Sequence, residues 1–286
     1  MSNSGKNLLK GLIITIALAF SLFRPALAGD TEEGLALYGS KDYDRAVPLL
    51  TAGANAGNAQ AQRTLGILYD KGQGVARDPL EAVSWYEKAA AQGDAIAQFH
   101  LAGKYLLGEG VARDMTLAAN WLQKAAAQEL PSAQFNLASL YQNGQGVERD
   151  LQAALSWYRK AADAGHHKAQ FNLGMMHLNG LGTPRDAGEA RKYFEKAAKA
   201  NDARSQYMIG KLYATGEGVN KDEKEAYFWC KKAAENGYAD ATYSLGLMYE
   251  LGRGIEKDIQ KAREWYEKAA RQGYHASRDK LAALSA

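Results

Sequence analysis

The stretch that decides the fold runs from Ala61 to Gly93, AQRTLGILYDKGQGVARDPLEAVSWYEKAAAQG, and it returns at Ala241–Gly273 as ATYSLGLMYELGRGIEKDIQKAREWYEKAARQG. Between them the same frame recurs without insertion or deletion. Tryptophans stand at 85, 121, 157, 229 and 265, with Tyr193 in the missing slot. Asp78, Asp114, Asp150, Asp186, Asp222 and Asp258 keep the same 36-residue step, as do glycine pairs from 72/74 to 252/254. A fixed period of this length is the mark of a solenoid, in which each unit buries its apolar face only against its neighbours. Six units therefore cover Asn58 to Gly273.

Each unit predicts two helices. In the second, Gln98, Leu101, Ala102 and Tyr105 share one face at i, i+3, i+4 and i+7, giving helix A. Gly108 falls where a helix end needs positive φ, Gly110 permits another tight bend, and Val111 turns inward. Asp114 is the expected N-cap of helix B. In sister copies Pro79 takes the first helical position, and Glu81, Glu189 and Glu225 take the capping-box position. Ala118, Trp121, Leu122, Ala125 and Ala126 form the helix-B packing stripe, the alanines allowing close approach and the tryptophan filling the remaining gap. The fold class is all-α, an α/α solenoid of tandem helix-turn-helix repeats.

Ahead of the array, Tyr43, Ala46 and Leu50 indicate a further unit over 29–57 with a short Lys41-Asp42 turn and no Gly-x-Gly insert. Behind it, 274–286 repeats the start of helix A through Leu281 and Ala282 and reads as a capping helix, with Ser285 in place of the tyrosine. Residues 1–28 read as a secretory signal peptide: Lys6 and Lys10, an uncharged run from Gly11 to Phe23, then Ala26-Leu27-Ala28 before the cut. An uncleaved anchor is the competing reading, although the run is shorter than the ~20 residues that span a bilayer. No cysteine follows the cut to take a lipid, and no Arg-Arg pair precedes it.

The chain has 286 residues, 47% hydrophobic and 23% charged, with a formal net charge of +3. Removal of Lys6, Lys10 and Arg24 with the leader leaves 32 basic and 32 acidic side chains, so no broad basic field remains for nucleic acid or anionic lipid. The balance drifts along the array, from −4 over 29–165 to +4 over 166–286. That drift is either chance on a solvated surface or a means of orienting an elongated partner.

The residues quoted above resemble the Sel1-like repeat family, a relative of tetratricopeptide repeats. The resemblance implies a right-handed superhelical arc with a concave side lined mainly by A helices. It also implies a scaffold or regulator of envelope signalling or assembly complexes.

Candidate sites are few. The Gly-x-Gly segments follow no strand and precede no Lys-Ser/Thr pair, so they are turns rather than phosphate loops. The five histidines contain no His-x-x-x-His clamp. His166 and His167 fall in an inter-unit loop with side chains expected to point apart, and His177 takes the helix-A tyrosine slot as a buried, hydrogen-bonded imidazole. Cys230 stands where Tyr86, Tyr158 and Tyr266 stand, as a small buried hydrophobe or as a reactive or intermolecular thiol. No catalytic constellation, cofactor motif or metal set can be assembled.

The better candidate is a column of aromatics at one helix-A position: Phe99, Phe135, Phe171, Tyr207 and Tyr243. With flanking residues such as Met175 and Lys211 it is either packing between A helices or a ligand-facing ladder. The leading expectation is a non-enzymatic periplasmic or secreted scaffold that takes a protein or peptide partner in the groove. Binding of envelope glycan, peptidoglycan or a host component is the alternative. The least favoured alternative is a hydrolase like the β-lactamase-like, cysteine-rich branch of the family, whose paired cysteines this chain lacks.

Overall fold

The computed structural model describes residues 29–284; residues 1–28, read above as a signal peptide, and 285–286, with Ser285, lie outside them. Every regular element among the described residues is a helix. Helix α1 occupies 29–39. It is followed by α2 (Tyr43–Asn55), α3 (Ala59–Lys71), α4 (Pro79–Ala91), α5 (Ala95–Leu107), α6 (Met115–Ala127) and α7 (Pro131–Asn143). Then come α8 (Leu151–Asp163), α9 (His167–Asn179), α10 (Ala187–Lys199), α11 (Ala203–Thr215), α12 (Glu223–Glu235), α13 (Ala239–Leu251), α14 (Ile259–Arg271) and the shorter α15 (Ala276–Ala283). Odd-numbered helices are the A helices of the repeat and even-numbered ones the B helices. The chain divides into two compact units, one ending at Leu130 and one beginning at Pro131. No helix among the described residues is long and apolar enough to cross a membrane.

The A-to-B turn is held by polar groups that recur in every copy. The first glycine caps helix A in the left-handed region (Gly72 φ 66°, Gly108 φ 73°), which a side-chain-bearing residue adopts only at a cost. The aspartate then caps helix B, Asp78 accepting from the Leu80 and Glu81 N–H groups and Asp114 from Leu117. The expected capping box does not form, because the N–H it would satisfy is already used. The Asp78 N–H donates to the Tyr69 carbonyl at 2.9 Å, and Asp114, Asp150, Asp222 and Asp258 donate likewise to the tyrosines at 105, 141, 213 and 249. Glu189, freed from that role, pairs with Lys192 at 2.8 Å.

The second glycine joins one repeat to the previous one. At Gly182 (φ 67°) an added Cβ would lie 2.6 Å from the Leu151 carbonyl oxygen, and at Gly110 it would meet the Pro79 carbonyl. The loop thus rests on the first residue of the preceding B helix, a distance only glycine allows.

In five of the pairs the void is filled by the residue after the tryptophan position, while Trp85 is itself buried in the core of the first repeat. Tyr86, Leu122, Tyr158, Phe194 and Tyr266 are fully buried, with the Phe194 ring directly over Gly174. Trp121, Trp157, Trp229 and Trp265 are only half-buried. Each has the lysine three residues on above its ring, at 4.0, 4.2, 5.2 and 4.7 Å. The ammonium nitrogen itself lies over the indole face, a cation–π contact that covers the exposed side of the ring. Two of the core-facing glutamines show how the amide is satisfied twice. Gln62 and Gln98 donate to the Ala54 and Ala90 carbonyls at 3.0 and 3.1 Å and accept from Gln92 and Gln128 at 2.7 and 2.9 Å. A buried amide with this many partners costs little and fixes the register of neighbouring repeats.

At the ends, α1 and α2 pack Ala46 and Leu50 against Ala61 and Leu65 of the first full repeat, around a turn with Lys41 at φ 66°. Helix α15 lays Leu281 and Leu284 on the Ala262–Tyr266 core.

Candidate functional site

The helix-A column is half-buried at all five positions. Its inner edge leans on the large helix-B residue of the same repeat: Phe135 on Tyr158 at 5.7 Å, Phe171 on Phe194 at 5.8 Å, Tyr243 on Tyr266 at 5.5 Å. Its flank is covered by the residue that caps the next A helix, or by one beside it. His166 stacks on Phe135 at 4.7 Å, Tyr238 lies 5.3 Å from Tyr207, and Tyr274 stacks on Tyr243 at 4.6 Å. The Arg204 guanidinium sits 4.3 Å over Phe171. In the first repeat the contact is ionic, Arg63 to Asp94 at 2.7 Å. Packing and exposure therefore coexist in one side chain: an inner edge is in the core, a flank is covered by a neighbour, and part of the side chain stays exposed.

Of the flanking residues, Met175 is half-buried against the Phe194–Ile209 core and Lys211 is exposed, its ammonium 5.9 Å above the Tyr207 ring. Phe99, in the unit that ends at Leu130, has His100 as its ring neighbour at 5.8 Å. Phe135, Phe171, Met175, Tyr207, Lys211 and Tyr243 all belong to the unit that begins at Pro131.

The histidines depart from expectation. His166 and His167 do not point apart: their rings lie parallel within 10°, 6.0 Å between centroids. The cause is that His166 caps α9, its Nδ1 accepting the Ala169 N–H at 3.2 Å, so the ring turns back along the helix. His177 is buried in the tyrosine slot and stacked on Tyr193 at 5.6 Å. Its backbone carbonyl takes the Asp186 N–H, but its Nε2 has no hydrogen-bond partner among the described residues. An imidazole in a phenol's place is too short to reach the rim where tyrosine hydroxyls find partners.

Burial holds His177 below the ordinary histidine pKa, Glu189 and Asp186 pulling weakly the other way, and burial likewise lowers His100 and His166. For such groups the unfolded chain protonates first as pH falls. The stabilisation is thus complete above the ordinary histidine pKa and declines as pH drops through it toward the folded value. Thermal melts between pH 7.5 and 5.5 are expected to show this decline. His177→Tyr should raise the melting temperature and make the decline shallower, and an unchanged slope would show that His177 takes no part.

Cys230 is buried, and burial pushes its thiol up to about 12, so it is a packing residue without thiolate character at neutral pH. It lies with Ala226 and Met248 beneath Tyr207. No group of three or more metal-ligating side chains converges among the described residues.

One polar cluster escaped sequence reading. Lys104 of α5 is buried, and its ammonium contacts the Asp70 carboxylate closely and Glu109 at 2.8 Å. Nearby, His100 stacks on Tyr86 at 5.2 Å, and the Tyr86 hydroxyl is buried without a partner among the described residues. In the later copies Tyr158 donates to Gln142 at 2.9 Å and Tyr266 to Glu250. Asp70 is shorter than either acceptor and is engaged by Lys104.

Comparison with known proteins agrees with this architecture. The Sel1 repeat model matches six consecutive segments, 59–94, 95–130, 131–166, 167–202, 203–238 and 239–274. Among solved structures, the chain is similar to a protective antigen present in uropathogenic Escherichia coli strains that displays an SLR fold. That similarity has a TM-score of 0.85 and 32% identity over 91% of this chain and 57% of that one. It is also similar to a Sel1 repeat protein from Oxalobacter formigenes, with a TM-score of 0.76 and 36% identity over 84% of this chain and 96% of the other. The chain thus spans a little over half the length of the first and nearly all of the second. No curated protein matches it. With the repeat model matched from 59 to 274 and the capping, glycine and core columns in place in each copy, the chain belongs to the Sel1 repeat family.

Proposed function

We propose that this protein is a non-enzymatic, exported scaffold that receives a protein or peptide partner on the exposed parts of its A-helix aromatics. Sel1 repeat proteins are generally scaffolds for protein interactions, and that common role is the starting point. The observation that carries the reading is the half-open column itself. Phe135, Phe171, Tyr207 and Tyr243 are each anchored on one edge by the core and remain partly exposed. Rigid aromatics of this kind supply contact area at small entropic cost, as interface anchors do. Residues beside them change from repeat to repeat (Ser139, Met175, Lys211, Leu247), which supplies discrimination on a constant frame. Export, to the periplasm or beyond, rests on the layout of residues 1–28, and a role in an envelope signalling or assembly complex rests on the resemblance to the Sel1 family together with that export.

Because the column also packs the core, alanine there would loosen the fold, so the test uses its rim. In cells producing the full chain, a photocrosslinking amino acid at Lys211 or Met175 is expected to capture a discrete partner in the envelope fraction. The same residue at Gln152, on exposed helix-B surface, is expected to capture none. Identical products from both faces, or none from the rim, would overturn the reading.

A further inference from the structure

The aromatic column does not carry the same charge along its length. In the unit ending at Leu130, the flanking positions are Gln60 and Ile96 on one side and Ile67 and Gly103 on the other, and Arg63 is consumed by Asp94. In the second unit α7 contributes Ser132 and Ser139, and α13 contributes Asp240 and Leu247. Only α9 and α11 between them place cations at these positions: Lys168, Arg204 and Lys211.

Lys168 and Lys211 are exposed, and neither is paired with a carboxylate among the described residues. Arg204 joins the two helices by lying over Phe171. The carboxylates nearby are already engaged. Asp202 accepts from Ser205 and pairs with Arg204 at 3.0 Å, which together hold it below the usual carboxylate range against the effect of burial. Asp240 is bonded to Tyr238, and Glu250 to Tyr266 and Lys280. The same two helices carry the half-buried apolar side chains Phe171, Met175, Leu178 and Met208, all packed on the Phe194 core.

We infer that the α9–α11 face binds an acidic peptide segment of a partner protein, one whose carboxylates alternate with large apolar side chains. The inference rests on the proposed peptide-binding role and assigns it a place and a charge. Two exposed ammonium groups without carboxylate partners, on helices that also expose apolar surface, favour a ligand that brings its own anions, because apolar contact supplies the affinity and charge the selection. A basic segment would meet like charge at Lys168 and Lys211, a discrimination by repulsion.

The test uses three fluorescent twelve-residue peptides with the same leucines and phenylalanines, the intervening residues being Glu in one, Gln in the second and Lys in the third. The purified protein is expected to bind the Glu peptide at least ten-fold more tightly than the Gln peptide and not to bind the Lys peptide. Raising salt from about 50 to 300 mM should erase most of that preference, since exposed charges are screened. The double variant Lys168→Gln/Lys211→Gln should lose the preference with its thermal melt unchanged, both side chains being exposed and unpaired. Equal binding of all three peptides, or a preference that survives the double variant, overturns the charge assignment while leaving peptide binding standing. Binding of none overturns both.

Discussion

Gly182→Ala is expected to destabilise the protein by at least ~3 kcal/mol, whereas Gly180→Ala, two residues earlier, should cost about 1 to 2 kcal/mol. The two glycines share the same backbone conformation, φ 67° at each, so the left-handed penalty is common to both. What differs is the space a methyl group would enter. At Gly180 the nearest atoms are the Arg185 Cβ and backbone nitrogen at 3.4 Å, ordinary contact that a small shift relieves. At Gly182 the new Cβ would stand 2.6 Å from the Leu151 carbonyl oxygen and 2.8 Å from its carbon. That carbonyl belongs to the first turn of α8 and cannot move without moving the helix, so the repeat must detach from its neighbour or distort. Since a solenoid draws its stability from such nearest-neighbour interfaces, the damage should spread beyond the loop. Urea unfolding followed by circular dichroism measures the difference, and hydrogen exchange should place the lost protection in α8–α10. Equal costs at the two positions would show that the loop is not a structural joint.

These two glycines also show how far the sequence can be read. Both were visible as punctuation at a fixed step, and the assignment of the first to a helix C-cap follows from its place after a helical stripe. The task of the second depends on which carbonyl lies opposite in the previous repeat, a relation across 31 residues that periodicity does not encode. The same limit explains the tryptophans. A stripe at helical spacing predicts that Trp121 and Leu122 both face inward, yet a packed helix has a finite angular width. The leucine takes its centre and the indole its edge, where a lysine covers it. The capping box failed for a related reason, since the N–H group it needs was claimed by a tyrosine carbonyl nine residues back. For the candidate site, the aromatic column was legible as a column, and its division into an anchored edge, a covered flank and an exposed part was not. That division requires the residue at the start of the following A helix, such as His166 or Tyr274, to fold back on the ring. Lys104, by contrast, left a signal that alignment of the repeats exposes: its five counterparts are Leu68, Leu140, Met176, Leu212 and Met248, so a charge stands in a core column.

That misplaced charge supports the second large effect. The double variant Asp70→Ala/Glu109→Ala is expected to lose ~3 kcal/mol, and Lys104→Met to be neutral or stabilising. Lys104 is only 5% exposed, and its ammonium is held by the two carboxylates. Removing both leaves a cation with neither water nor counter-charge, the costly way to break an ion pair. Removing the lysine instead strands nothing, because the Asp70 and Glu109 side chains keep 23% and 41% of their surface in water. A methionine in its place matches the residue found at the same position in the fourth and sixth repeats. Acid should separate the variants too. The Lys104 hydrogen bond and charge hold the Glu109 carboxyl below the usual range, so this contribution is present above the ordinary glutamate pKa and fades as pH falls through the folded value. Lys104→Met should therefore lose less stability than the parent protein between pH 7 and 4. Urea titrations at those two pH values test the order, and a Lys104→Met protein less stable than the double carboxylate variant would refute it. If the order holds, the network is kept at a cost in stability. Its value then lies in specifying which helices meet: Asp70 sets a carboxylate of α3 against the buried lysine of α5.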